Sequence, residues 1–180
     1  MPRLFTALEV PVEVGERLAL LRGGLPGARW IDADFYHVTL RFIGDIDFRT
    51  ADEVAESLSR VRRREIQIQL DGLTAFGTSK PHSIVARVAP SRALSELQAE
   101  HERIMQRIGL PAEGRRFMPH VTLARLRGTS EREVASYLAL RGGFYAPPFT
   151  ASRFVLFSSR DSVGGGPYLV EHSYPLAVAA

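Results

Sequence analysis

The chain contains no cysteine among its 180 residues. This absence excludes disulfides, thiolate nucleophiles and cysteine-based metal sites, and it suits a cytosolic protein. No apolar run approaches the roughly 18 residues needed to cross a bilayer. Charged side chains interrupt the first residues, so the apolar core of a secretory signal is absent there. We therefore expect a soluble, cytoplasmic protein with no membrane partner.

Lysine is almost absent, because Lys80 is the only one among 23 basic residues. With 20 acidic residues the formal net charge is only +3. Genome composition that favours arginine codons explains the bias, so charge alone does not indicate a nucleic-acid partner. A chain of this length buries roughly 70% of its unfolded surface, which is enough for a core without a disulfide or metal.

A four-residue motif, His-Val-Thr-Leu, occurs twice, at residues 37–40 and 120–123, close to half the chain length apart. Successive side chains of a β-strand point to opposite faces. His37 and Thr39 therefore share one face of their strand, and His120 and Thr122 share one face of another. If the two halves of the chain face each other, two imidazoles and two hydroxyls converge on one groove.

Two histidines in one groove can divide acid–base catalysis between them. Their ordinary pKa of about 6.5 lets one imidazole accept a proton while the other, charged, donates one. Two threonine hydroxyls can hydrogen-bond an anion held between them. This set suits phosphoryl transfer, in which negative charge must be stabilised on the non-bridging oxygens.

A metal site is the main competing interpretation of paired histidines. Such sites usually use three or more protein ligands, often including carboxylates, and neither motif contains an acidic residue. His82, His101 and His172 are not spaced as partners. A single copy of the motif would indicate only a strand, but its repetition favours a catalytic pair. We therefore predict neither a metal nor another cofactor.

Two arginines follow the motifs. Arg125 lies five residues after His120, and strict alternation places it on the opposite strand face. It reaches the groove only through a strand end, a twist or a bulge. Arg41, directly after the first motif, is predicted either to add affinity in the groove or to face solvent.

Hydrophobic periodicity predicts strands and helices that alternate along both halves of the chain. The strands are expected at roughly residues 3–10, 37–43, 66–70, 83–88, 118–126, 149–159 and 168–178, with helices after Pro11, after capping boxes at 50–53 and 130–133, and after Ser91. Residues 72–81 are expected to form a loop, and Gly164–Gly166 a hairpin turn. The predicted fold is α+β and bilobal, with two pseudo-symmetric antiparallel sheets lining a central groove and helices on the outside, in a single domain over residues 1–180.

The paired His-x-Thr motifs resemble those of the two-histidine (2H) phosphoesterase superfamily. Within it, the chain is most similar to the RNA 2′,3′-cyclic phosphodiesterases, the LigT-like or 2′-5′ RNA ligase family. The matching stretches are residues 3–5, 29–30, 37–44, 76–77, 116–125 and 156–168. The resemblance therefore covers essentially the whole chain.

The resemblance implies hydrolysis of a 2′,3′-cyclic phosphate to a 2′-phosphate in an open groove without metal. The substrates are RNA with 2′,3′-cyclic phosphate ends or nucleoside 2′,3′-cyclic phosphates. The roles it implies are His37 as proton donor, His120 as proton acceptor, Thr39 and Thr122 as phosphate contacts, Arg125 as an assisting cation, and Phe5 and Tyr168 as contacts to the base. We expect the protein to be a monomer.

Two alternatives share these residues. The first is 2′-5′ RNA ligation or cleavage of a 2′-5′ linkage in the same site, which only substrate assays distinguish. The second is a module that binds RNA ends without catalysis. Two titratable histidines argue against the second alternative, since binding alone does not need them.

Overall fold

The computed structural model describes residues 2–159 and 166–178. The elements in chain order are β1 (Arg3–Glu9), α1 (Val12–Ala19), β2 (Ala28–Trp30), a 3₁₀ turn (Ala33–Phe35), β3 (His37–Asp45), α2 (Phe48–Leu58), β4 (Ile66–Ile68), β5 (Leu70–Phe76), β6 (Ser83–Val88), α3 (Arg92–Ile108), β7 (His120–Leu126), α4 (Glu131–Arg141), β8 (Phe149–Ala151), β9 (Arg153–Ser159) and β10 (Tyr168–Pro175). The predicted α+β class is confirmed.

Eight strands form one antiparallel sheet in the order β10-β9-β1-β3-β7-β6-β5, with β2 also paired to β7. The sheet consists of two halves, and β3 and β7 are the strands that meet where the halves join. Their printed pairing is a single antiparallel pair, Val38 with Val121. Strands β4 and β8 form a separate small sheet. The two predicted antiparallel halves are therefore present, joined at the two repeated motifs.

Helices cover the face of the sheet that carries the main core. Helix α3 packs against β3, and α4 packs against β5. Val38 and Val121 are fully buried on this side. The opposite face, which carries the motif histidines and threonines, is thus left for the groove.

The helix starts follow local capping chemistry, with one correction. Ser91 caps α3, and Ser130 and Glu133 form the predicted capping box of α4. The box predicted at residues 50–53 is wrong, because Asp47 is the N-cap of α2 and accepts a hydrogen bond from the Thr50 amide at 2.7 Å. An aspartate satisfies a free amide of the first turn as well as a threonine does, so the helix begins one turn earlier.

The loop predicted at residues 72–81 is also partly wrong, because β5 continues to Phe76. Gly72 has a φ of +75° beside an irregular register between Leu70 and Leu73. A glycine in that conformation forms a bulge without ending the strand. The glycine turn predicted at Gly164–Gly166 lies largely outside the described residues. Within the described parts of the chain, each helix is too short or too polar to span a bilayer.

Candidate active site

The two motifs meet at the junction of the half-sheets. Val38 of β3 pairs with Val121 of β7, and both valines point into the core. In an antiparallel pair, the residues on either side of this position are cross-strand neighbours on the opposite face. His37 and Thr39 are therefore next to His120 and Thr122 on the groove side. The predicted convergence of the two motifs is what the backbone pairing produces.

A β-bulge follows the motif in each strand. The register of β3 against β1 skips Leu40, and that of β7 against β6 skips Leu123. In both strands two consecutive residues are buried, Leu40 with Arg41 and Leu123 with Ala124. The bulge reverses the alternation, so the fifth residue after each histidine returns to the groove face. Arg125 reaches the groove in this way, and Phe42 occupies the equivalent place in β3.

His37 is enclosed by aromatic rings. Its ring centroid lies 5.0 Å from that of Phe5, 5.2 Å from that of Tyr168 in an edge-on arrangement, and 5.9 Å from that of Phe157. Its Nδ1 is 2.8 Å from the carbonyl oxygen of Phe35. A carbonyl can only accept, so Nδ1 carries the proton and Nε2 is the nitrogen that can exchange a proton with a substrate.

His120 repeats this arrangement with fewer neighbours. Phe76 packs edge-on against it with the ring centroids 4.7 Å apart. Its Nδ1 is 2.6 Å from the carbonyl oxygen of Met118. In both motifs the carbonyl belongs to the residue two positions before the histidine, so both imidazoles use Nε2 for chemistry.

The surroundings lower the pKa of both histidines. Desolvation lowers the pKa of His37 to about 4, the hydrogen bond to Phe35 offsets part of this, and the positive charges of His120 and Arg125 lower it further. Desolvation, and then the charge of Arg125, also lower the pKa of His120, against the hydrogen bond to Met118. Because each histidine responds to Arg125, that cation faces both imidazoles. A bound phosphate would oppose these effects, since a nearby anion favours the protonated imidazole.

A pocket of about 190 Å³ lies beside His37. It is lined by Arg3, Phe5, His37, Thr39, Phe42, Arg125, Ser159 and Tyr168. Five of the seven predicted site residues thus line one pocket, and His120 and Thr122 follow on the adjoining strand. Phe5 is only 5% exposed, so its main contact is the His37 ring.

Arg41 lies in neither of its two predicted places. Its side chain is 5% exposed on the core side of β3, where Nε donates to Glu102 of α3. Its guanidinium also donates to the carbonyl oxygen of Phe42, and to that of Pro111 at 2.5 Å. The bulge at Leu40 turns this residue away from the groove.

Two contributors to the site were missed from sequence. Phe76 supports His120 from β5, and Phe42 lines the pocket beside Arg125. Alignment of the two motifs on their histidines would have paired Phe42 with Arg125 and marked it as a groove residue. Phe76 followed from no spacing rule, since it lies on a strand predicted as a loop.

The described residues hold no cluster of three histidine, cysteine, aspartate or glutamate side chains with metal-binding geometry. The groove offers two imidazoles, two hydroxyls and a guanidinium. That set of donors suits an oxyanion better than a metal cation.

Comparison with known proteins gives this geometry a family. The family model described as "LigT like Phosphoesterase" matches residues 8–86 and again residues 87–168. Each match contains one His-Val-Thr-Leu motif, so the two halves of the chain correspond to two copies of the family unit.

Curated relatives carry one name. A protein named RNA 2′,3′-cyclic phosphodiesterase from Aeropyrum pernix is 36% identical over 119 residues, covering 62% of this chain and 67% of its own length. The Escherichia coli protein of that name is 28% identical over 161 residues, covering 84% and 90%. The match spans a smaller share of other relatives, 41% of the Geobacillus stearothermophilus protein and 61% of the Aquifex aeolicus protein.

Solved structures extend the likeness over the whole chain. The crystal structure of E. coli LigT complexed with 3′-AMP superposes with a TM-score of 0.77 at 25% identity, covering 98% of this chain and 99% of that one. Thermus thermophilus TT0787 gives a TM-score of 0.79 at 20% identity, covering 99% and 100% of the two chains, which supports the fold. With both family matches centred on the two histidine motifs, the chain belongs to the LigT-like phosphoesterase family.

Proposed function

We propose that the protein hydrolyses the terminal 2′,3′-cyclic phosphate of RNA to a 2′-phosphate, with His37 and His120 as its acid–base pair. The observation that carries this proposal is the pairing of Val38 with Val121, which places the two imidazoles side by side on the groove. Family membership makes the chain a phosphoesterase, as the sequence predicted. The curated relatives are named for the cyclic-phosphate activity.

The reaction follows from the two Nε2 atoms. Neutral His120 takes a proton from a water molecule whose oxygen attacks phosphorus. The bond from phosphorus to O3′ breaks, and protonated His37 gives its proton to O3′. The products are a 2′-phosphate and a free 3′-hydroxyl. Thr39, Thr122 and Arg125 hold the non-bridging oxygens, where charge must be stabilised.

The direct test offers adenosine 2′,3′-cyclic phosphate, and a short RNA with the same end, to the purified protein. We expect a 2′-phosphate product from both. Phosphorus NMR distinguishes it from the 3′-phosphate, and a product with only a 3′-phosphate would contradict the assignment of O3′ as leaving group. A 2′-5′-linked dinucleotide in a parallel assay tests the alternative activity.

Removal of metal is expected to leave this rate unchanged. The groups assigned to proton transfer and to charge stabilisation are all side chains of the chain itself. Rates measured in the presence of EDTA, after dialysis against EDTA, and after addition of Mg²⁺ or Zn²⁺ should agree within about twofold. Loss of turnover in EDTA with recovery on adding one metal would contradict a metal-independent mechanism.

The pH dependence should reflect the lowered pKa values. Catalysis needs one protonated and one neutral imidazole, and kcat/KM reports the free enzyme, whereas kcat reports the complex. Because both histidines of the free enzyme have a lowered pKa, kcat/KM should be maximal below about pH 6.5, the ordinary value for histidine, and should fall as pH rises. The bound phosphate raises the pKa of the donor, so the kcat profile should lie at higher pH. A kcat/KM that increases steadily up to pH 8 would contradict this assignment.

A further inference from the structure

The groove is symmetric in its catalytic groups and asymmetric beside them. His37 and Thr39 of β3 match His120 and Thr122 of β7, and each strand has its bulge at the same distance from its histidine. The residue that each bulge returns to the groove differs, since it is Phe42 in one strand and Arg125 in the other. One end of the groove therefore offers an aromatic ring where the other offers a cation.

Phe42 exposes an unusual amount of ring for a strand residue beside a catalytic histidine. It is 45% exposed, whereas Phe5, its direct partner in β1, is 5% exposed. Single exposed apolar residues are common on protein surfaces and carry little meaning alone. Phe42, however, lines the pocket that also contains His37, Thr39 and Arg125.

The pocket is small for a complete ligand. Its volume of about 190 Å³ lies below the roughly 300–1,000 Å³ typical of pockets that enclose a drug-sized molecule. It therefore suits one part of a nucleotide. An aromatic face beside an anion-binding cation is the combination that proteins use to stack a base while holding its phosphate.

We propose that Phe42 forms a nucleobase subsite, on which the base of the terminal nucleotide stacks while its phosphate lies between the two imidazoles beside Arg125. This subsite rests on the proposed function for the choice of a nucleotide as ligand. It places the ribose, and therefore O3′, on the β3 side next to His37. The attacking water, opposite the leaving oxygen, then lies on the β7 side next to His120. The difference between Phe42 and Arg125 thus decides which histidine is the acid.

Binding of two product-like probes tests the subsite without requiring turnover. The probes are adenosine 2′-phosphate and methyl β-D-ribofuranoside 2-phosphate, which lacks the base. Stacking of a base on an aromatic side chain contributes about 1–3 kcal/mol, or about 5- to 150-fold in affinity. We expect Phe42→Ala to weaken binding of the adenosine probe by that factor and to leave the base-free probe within twofold. Phe42→Tyr should restore binding of the adenosine probe.

The control is Phe48→Ala, which removes a phenylalanine that is 72% exposed at the start of α2, outside the pocket lining. It should change neither affinity. Thermal unfolding of all variants, with Phe42→Leu as an apolar replacement of similar volume, separates loss of the ring from loss of the strand. Equal weakening of both probes in Phe42→Ala, or weakening of neither, would overturn the proposal.

These outcomes are separable from the proposed function. If the wild-type protein hydrolyses no cyclic phosphate but Phe42→Ala loses only the adenosine probe, the subsite stands and the hydrolytic function fails. If hydrolysis is present and Phe42→Ala binds both probes as the wild type does, the subsite fails and the function stands.

Discussion

Replacing His120 by alanine is expected to lower kcat for a 2′,3′-cyclic phosphate by about 100-fold or more. General acid or base catalysis by one side chain typically contributes about 10²–10⁴-fold, and no other titratable side chain lines the pocket beside the paired imidazoles. His37→Ala should give a loss of similar size. The double variant should lose much less than the product of the two factors, because the residues act as a unit.

A leaving group that needs no proton distinguishes the two roles. With a p-nitrophenyl phosphodiester as substrate, His37→Ala should keep far more of the wild-type rate than His120→Ala does. His172→Ala is the control, since His172 lies exposed on β10 away from the pocket. Turnover at the wild-type rate in both single variants would contradict the mechanism, and equal losses on the activated substrate would contradict the assignment of donor and acceptor.

Replacing Glu102 by glutamine is expected to destabilise the fold by about 3 kcal/mol. Arg41 is 5% exposed, and removal of one partner from a buried ion pair typically costs about 3–5 kcal/mol because it leaves the other charge uncompensated. Glu102 also accepts hydrogen bonds from the Glu113 amide at 3.0 Å and the Gln106 side chain at 2.8 Å. Urea unfolding measures the change. Glu56→Gln is the control, because its ion pair with Arg60 is exposed, and such pairs contribute about 1 kcal/mol at most.

The difference between wild type and Glu102→Gln should also depend on pH. Burial acts to raise the pKa of Glu102, but the hydrogen bonds from Arg41, Gln106 and the Glu113 amide lower it below its ordinary value of 4.5. A carboxyl with a lowered pKa stabilises the fold above its unfolded pKa and loses that contribution as pH falls through its folded pKa. The two proteins should therefore become more similar in stability below that value. Equal unfolding midpoints for both at neutral pH would show that Arg41 does not depend on Glu102.

The repeated motif predicted the centre of this fold well. Alternation within His-Val-Thr-Leu assigned Val38 and Val121 to the core and the histidines to the opposite face, and the structure pairs those two valines directly. A run of alternating β-branched residues specifies both its strand and its buried face, because a shift by one residue would expose the apolar side.

Alternation failed immediately after each motif. Both bulges occur without a glycine, at Leu40 and at Leu123, so no residue type marks them in the sequence. The bulges depend on pairing with β1 and β6, which are distant in the chain. For that reason Arg41 was placed on the wrong side of the sheet, Phe42 was overlooked, and Arg125 could be included only conditionally.

The two carbonyls that orient the imidazoles have a consequence for how the site can change. Each comes from the same short segment as its histidine, Phe35 for His37 and Met118 for His120. Ring orientation and tautomer are therefore properties of each half of the chain, whereas the spacing between the rings depends on the junction of the halves. Substitutions far from the rings that alter this junction should retune substrate size while leaving both imidazoles chemically competent.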